Sequence, residues 1–295
     1  MLLPLCASAH EGDFDPGHTG WNGLSELAEL AQGMGMAVQI ADALDLEAAD
    51  AQVTTLLLFA PLSAPDPAAL LRFLRRGGRV LIADDFALGE PLLAALQIDR
   101  SPNPLAATDD RYRDNPNLPV ARPSSSGPLV DGVDHVVTNH PAYLRSRLPP
   151  VLQVASALDA VAVAGELPAG KGGAGRFVAL SDPSVLINNM LAFPGNLAFA
   201  RNLLSWLGRP GGRLVVLSGE FALWGDARPS GRERLALLEL HREFNAFVGG
   251  LSAIIPSRGV LRAMAVLLAL GLGWTLVFVM RLPRKPPAGP FAVRR

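Results

Sequence analysis

Apolar residues recur at positions 24, 27, 28, 30 and 31 of the segment Trp21–Gly33, a spacing that lines one face of a helix. Met36–Ile40 then reads as a short strand. The run Val53–Ala60 (VTTLLLFA) is continuously apolar, which is the pattern of a strand buried on both faces. Pro61 ends it, and Pro65–Pro67 open a second helix that runs through Arg76, with proline in the first turn where its missing N–H costs nothing. Gly77 and Gly78 stop that helix, and Arg79–Ala83 (RVLIA) follows as another buried strand. Strand, helix and strand in this order predict parallel pairing with a right-handed crossover.

From residue 101 to 150 the pattern dissolves. Nine prolines and the Ser124–Gly127 cluster predict a long irregular excursion, with one strand at Val133–Thr138. Order returns with strands at Val151–Ala155, Ala160–Ala164 and Arg176–Ser181, the last preceded by a glycine-rich turn at Gly170–Gly175. Phe193–Gly208 carries a helical stripe, Arg213–Leu217 is a strand, and Arg232–Val248 is a charge-laced amphipathic helix. Strands alternating with helices predict a doubly wound, mostly parallel α/β sheet flanked by helices, extending over residues 13–250.

The chain's end is different. Ala263–Met280 contains no charged residue, and with Val260 and Leu261 the stretch Val260–Met280 would rise about 31 Å as a helix, close to the hydrocarbon thickness of a bilayer. Arg262 lies one turn inside, where its stem can run along the helix and its guanidinium reach the interface. The sequence therefore predicts a linker at 251–259, one transmembrane helix at 260–280 and a basic tail at 281–295. Arg281, Arg284, Lys285, Arg294 and Arg295 outweigh Arg258 and Arg262, which assigns the tail to the cytoplasm and the large domain to the outside of the inner membrane. Export needs a leader; Met1–Ala9 (MLLPLCASA) reads either as the remnant of a signal segment within residues 1–12 or, at Leu2–Ala7, as the first strand of the sheet.

An apolar content of 49% against 18% charged residues fits a chain that partly meets lipid. The net charge of −1 supplies no concentrated basic surface, so nucleic acid is not an expected partner. One cysteine, Cys6, excludes an internal disulfide and a cysteine-rich zinc site.

Ligands of open parallel sheets bind beyond the carboxyl ends of the strands. Asp84 and Asp85 follow the strand at Arg79–Ala83, Ser181 and Asp182 follow Arg176–Leu180, and Asn188 and Asn189 come shortly after. The polar loop with Asp13, Asp15 and Asn22 would join the same edge. Clustered carboxylates and amide oxygens suit a small polar ligand or a hard cation. The competing reading makes Asp84 and Asp182 caps for the helices that follow and Asn188 a loop tie. AGKGGAGR around Lys171 lacks the Gly-Lys-Ser/Thr ending of a phosphate loop and precedes a strand, so a hairpin turn is expected. No Gly-x-Ser-x-Gly elbow occurs, and His10, His18, His135, His140 and His241 show no metal-like pairing. No cofactor, metal or catalytic residue is indicated.

Three stretches, DFDPGHTGWNGLSELAEL from Asp13, RRGGRVLIADDFALGEPLLAAL from Arg75 and GRFVALSDPSVLINNMLAFPGNLAFARNLLSWL from Gly175, resemble the bacterial DUF4350 family. That family is similar to class I glutamine amidotransferase-like, flavodoxin-type domains and often carries membrane helices. The resemblance implies an elbow after Ala83 where the amidotransferase fold puts its nucleophilic cysteine, but here Asp84 and Asp85 stand there. It therefore implies a domain without amidotransferase activity. It also implies partners in the cell envelope, by association with MoxR-type AAA+ ATPases. Two functions follow as expectations: a non-catalytic binding or scaffolding domain, or a carboxylate- or metal-dependent hydrolase using the carboxyl-edge aspartates.

Overall fold

The computed structural model describes residues 13–61, 66–85, 89–101, 110–154, 160–168 and 173–219, together with the short strand Ala222–Trp224. Two units divide the chain, Met1–Leu238 and Glu239–Arg295, and every described residue lies in the first. The leader or first strand at 1–12, the helix expected at Arg232–Val248 and the membrane segment Val260–Met280 fall outside the described residues. Among the described residues, no helix is long and apolar enough to cross a membrane.

The domain is a mixed α/β structure built on one large sheet. Its core is five parallel strands in the order β1 (Ala37–Ile40), β12 (Arg213–Ser218), β3 (Thr54–Phe59), β4 (Arg79–Ala83) and β11 (Gly175–Leu180). A side pair, β2 (Ala43–Asp45) and β13 (Ala222–Trp224), forms a second small sheet. Alternation along the parallel strands divides the interior in two, because successive side chains point to opposite faces. Leu57, Phe59, Leu81, Ala83, Val178, Leu180, Leu214 and Val216 pack with α1 (Ser25–Gly33) and α5 (Pro194–Leu207). Their neighbours Leu56, Leu58, Val80, Ile82, Ala179, Val215 and Leu217 pack on the other face with α2 (Pro67–Arg75) and α3 (Glu90–Ala95). Helices thus cover both faces of the parallel core. The chain steps from β3 to β4 through α2 and returns from β11 to β12 through α5; a fixed crossover hand sends the helix to the opposite face when the direction of travel reverses.

The expectation of a mostly parallel sheet needs correction. Beyond β11 every pairing is antiparallel: β10 (Ala160–Leu167) joins β11, β9 (Pro150–Gln153) and β8 (Tyr143–Ser146), while β6 (Val120–Pro123) joins β9 and β7 (Val136–Val137), and β5 (Ile98–Ser101) joins β8. The supposed irregular excursion at 101–150 is therefore much of an antiparallel wing. Two of its prolines, Pro123 and Pro150, stand at strand ends, where a missing N–H is tolerated. Strands of two to four residues, divided by such prolines, leave too short a pattern to register as alternation.

Local chemistry explains α2. Asp66 is its N-cap, its side chain accepting from the Ala68 N–H at 2.9 Å, and Pro67 occupies the first turn. Ala69, Leu70, Phe73 and Leu74 are buried along one face, and each large side chain contributes about 2 kcal/mol on burial. Packing outweighs the cap, so Asp66→Ala should cost only about 1 kcal/mol, read as a small drop in the urea midpoint with an unchanged slope.

Candidate functional site

β4 and β11 are neighbours, with Ala83 opposite Leu180, yet the chain leaves β4 toward α3 on one face and leaves β11 toward α5 on the other. That divergence is a topological switch point, the place where an open α/β sheet leaves a crevice at its carboxyl edge. Asp84 and Asp85 stand on one side of it and Ser181 and Asp182 on the other, as their positions after the two strands predict.

Each of these side chains is already engaged. Asp84 is buried and accepts from the Gly89 N–H at 2.7 Å, at the N-terminus of α3. Asp182 is fully buried, caps the 3-10 turn Pro183–Leu186 by accepting from the Ser184 N–H at 3.0 Å, and accepts from the Asn139 N–H with its other oxygen. Ser181 donates its one hydroxyl proton to Ala142 O at 2.6 Å, with Val161 O at 3.2 Å as the weaker acceptor, tying β10 and the segment before β8 to the end of β11. Asp85 differs: its Oδ1 is buried without a hydrogen-bond partner among the described residues.

The electrostatics follow from burial and crowding. Burial raises the Asp85 carboxyl to about 7, and neighbouring Asp84 adds to the effect, while its own backbone N–H and Arg100 oppose it. Burial also raises Asp182 to about 7, with Asp85 contributing; the Asn139 and Ser184 hydrogen bonds oppose the rise without cancelling it. Arg100, on β5, has a side chain only 7% exposed; it donates from Nη1 to Asp85 O and lies 3.8 Å from Glu90. Sequence reading missed Arg100 because β5 enters the sheet through β8, a pairing with no local signature.

A second group gathers around the loop at 13–24. Asn22 is buried and donates to Asp13 Oδ1, whereas Asp15 is exposed and closes a turn by accepting from the Gly17 N–H at 2.7 Å. Phe14 stacks on Phe59 at 5.7 Å, which brings this loop to the carboxyl end of β3. Asn188 pins it: Oδ1 accepts from the Glu26 N–H at 3.0 Å, and Nδ2 reaches His18 O at 3.1 Å and Gly20 O at 2.7 Å. Asn189 is exposed and touches the loop only through its backbone N–H, which donates to Trp21 O at 3.0 Å. Asp13, Asp15 and Asn22 thus belong to the loop that Asn188 ties down, while Asp84, Asp85 and Asp182 form the electrostatically coupled cluster. Among the described residues no group of three His, Cys, Asp or Glu side chains is arranged to hold a metal ion.

Buried Asn196 also escaped notice in the sequence. Its Oδ1 accepts from the Val137 N–H at 2.8 Å and its Nδ2 donates to Val137 O at 2.9 Å, so the side chain pairs with β7 as another strand would. An asparagine amid the apolar stripe of α5 was the available clue.

The two-sided helical cover of the parallel strands and the buried aspartates at their carboxyl edge define an α/β domain. The model of a domain of unknown function, DUF4350, matches residues 16–204, and the chain belongs to that family. Among solved structures it is similar to one titled mmIFT52 N-terminal domain, at 15% identity and a TM-score of 0.43, over 52% of this chain and 76% of that one. The comparison with curated proteins gave no match.

Proposed function

We propose that the protein is a non-catalytic binding or scaffolding domain, held at the inner membrane by Val260–Met280 with the α/β domain outside and the tail 281–295 in the cytoplasm. The observation that carries the non-catalytic reading is the commitment of Asp84 to the backbone N–H of Gly89 before α3, and of Asp182 to those of Ser184 in the 3-10 turn and of Asn139. A carboxylate so used holds chain together rather than meeting a substrate. The glutamine amidotransferase-like character of the fold belongs to the same reading, with Asp84 and Asp85 after β4 where that fold keeps its nucleophile. The expected partners are envelope proteins, MoxR-type AAA+ ATPases among them, and the bilayer itself.

The test uses the full chain. A reporter active only in the cytoplasm, fused after Arg295, should be active, and the purified protein should need detergent or a lipid disc to stay monodisperse. Crosslinked membranes should return the same protein partner in repeated pull-downs. Activity of the reporter only outside the cell overturns the topology, and pull-downs that repeatedly return no partner overturn the scaffolding role.

A hydrolase is the second reading, favoured by one observation: Asp85 combines a buried oxygen that has no hydrogen-bond partner among the described residues with a carboxyl raised to about 7, the range suited to general acid–base work. Turnover of ester, phosphoester or peptide probes that Asp85→Asn abolishes would favour this reading over the first.

A further inference from the structure

At the amino edge of the sheet, opposite the aspartates, the second core opens to solvent. A cavity of about 380 Å³ lies between the end of α2, the end of α3 and the last residues of β10, floored by Leu71, Leu148, Leu167 and Phe177. Its size is that of small-ligand pockets, which begin at about 300 Å³. A second recess of about 450 Å³ shares Gln97, Ser146 and Arg147 with it and adds Asp99 and Arg145, so the two form one groove with an apolar half and a polar half.

The floor depends on a glycine. Gly165 sits within β10 opposite Phe177, and a Cβ there would collide with the Phe177 ring and crowd Leu148. Glycine inside a strand weakens it, and a close approach of neighbouring groups is a reason to retain one. Here its absent side chain lets the ring lie in the floor.

The rim is cationic in a specific way. The arginines around the groove are mostly spent: Arg72 and Arg76 pair with Glu47, Arg176 pairs with Glu166 at 2.9 Å, and Arg79 donates to the carbonyls that end α5. Among the described residues, Arg75 and Arg147 have no hydrogen-bond or ion-pair partner, and both line the apolar half. Glu166, the acidic residue lining the same half, is already neutralised by Arg176. Two free guanidinium groups above an aliphatic and aromatic floor complement a molecule with an apolar body and an anionic head, because guanidinium binds carboxylate in a bidentate, charge-assisted fork.

We propose that this groove binds a small anionic amphiphile, a linear aliphatic carboxylate, its chain on Leu71, Leu148, Leu167 and Phe177 and its head between Arg75 and Arg147. The site is remote from the aspartate cluster and does not depend on the scaffolding role.

The test uses the full chain in discs of zwitterionic lipid, which avoids a detergent that would compete, and a photoreactive decanoate as probe. Crosslinks should fall on peptides containing residues 71–75, 146–148 and 166–177. Excess decanoate should suppress them, whereas acetate and decyltrimethylammonium should not. The double variant Arg75→Glu, Arg147→Glu should lower labelling by about tenfold or more, the loss of roughly one charge-assisted contact. Both residues are exposed, so its melting temperature should stay within about 2 °C of the parent; Arg75→Ala with Arg147→Ala serves if the reversal perturbs folding. Labelling that is scattered, equally suppressed by the cationic amphiphile, unchanged in both double variants, or abolished by anionic lipid in the disc without decanoate would each overturn the proposal.

Discussion

Replacing Asn188 with alanine is expected to destabilise the domain by about 3 kcal/mol, among the largest effects of any single polar substitution at the carboxyl edge. The helix α1 begins without a local cap: its N-cap position is Leu24, whose side chain cannot accept a hydrogen bond. Asn188, 162 positions away in sequence, supplies the acceptor for the Glu26 N–H instead. Its Nδ2 carries two hydrogens, so of His18 O, Gly20 O and Ser25 Oγ it serves two fully at any moment. Alanine would leave a first-turn N–H and the His18 carbonyl without these partners, and Gly20 O with only the Gly23 N–H at 3.2 Å, in a site where Asn188 itself is only 5% exposed. Each such orphan costs about 1–3 kcal/mol when water cannot reach it.

Two companion variants sharpen the result. Asn188→Asp keeps the acceptor for Glu26 but turns an oxygen toward the His18 and Gly20 carbonyls, so it should destabilise at least as much at neutral pH. Asn189→Ala removes an exposed side chain and leaves the backbone bond to Trp21 in place, so it should change stability by less than about 0.5 kcal/mol. Urea denaturation followed by circular dichroism reads all three; equal midpoints for Asn188→Ala and Asn189→Ala would remove Asn188 from its role as the loop's tie.

Asn188 also marks what the sequence could reveal and what it could not. Its neighbourhood was legible as a carboxyl-edge loop because β11 and α5 carry strong apolar patterns on either side. Its partners were not, since nothing in WNGLSELAEL says that the cap of α1 arrives from the far end of the domain. The parallel strands β3, β4, β11 and β12 were legible for the same reason that they are central: burial on both faces makes them continuous apolar runs. The position of β12 between β1 and β3 was not, because strand order is a matter of long-range pairing. The helix α3 and strand β5 were overlooked at Glu90–Ser101, where an element of six residues and one of four are too short to display a period. Within the candidate site, the three aspartates were identified by their positions after strands. Their coupling became visible only once β4 and β11 lay side by side, and Arg100 only once β5 did.

The domain should lose stability as the pH rises from about 5 to about 8, the reverse of a protein held together by ion-paired carboxylates. Asp85 and Asp182 both sit at about 7 in the folded chain, against about 3.9 when unfolded. Between those values the folded state holds protons that the unfolded state has released, so raising the pH favours unfolding. The loss begins above the unfolded value, is nearly complete just above 7 and then levels off. Charged groups facing the pair are Asp84, which opposes ionisation of Asp85, and Arg100, which favours it but is shared with Glu90. Because the two carboxyls are coupled and the crevice can relax, the combined loss should be on the order of 3 kcal/mol rather than the sum of two full shifts. Asp85→Asn isolates the cause better than Asp182→Asn: the oxygens of Asp182 accept from Asn139 and Ser184, and an amide would turn a donor toward one of them. At Asp85 the buried Oδ1 has no such partner to lose among the described residues. Asp85→Asn removes one titrating group and the repulsion that helps to raise Asp182, so its melting temperature should match the parent at pH 4.5 and exceed it at pH 8. Titrating groups that do not interact with Asp85 cancel in that difference. A gap between variant and parent that stays constant from pH 4.5 to 8, or that reverses sign, would mean that the crevice carboxyls are already ionised in the folded chain.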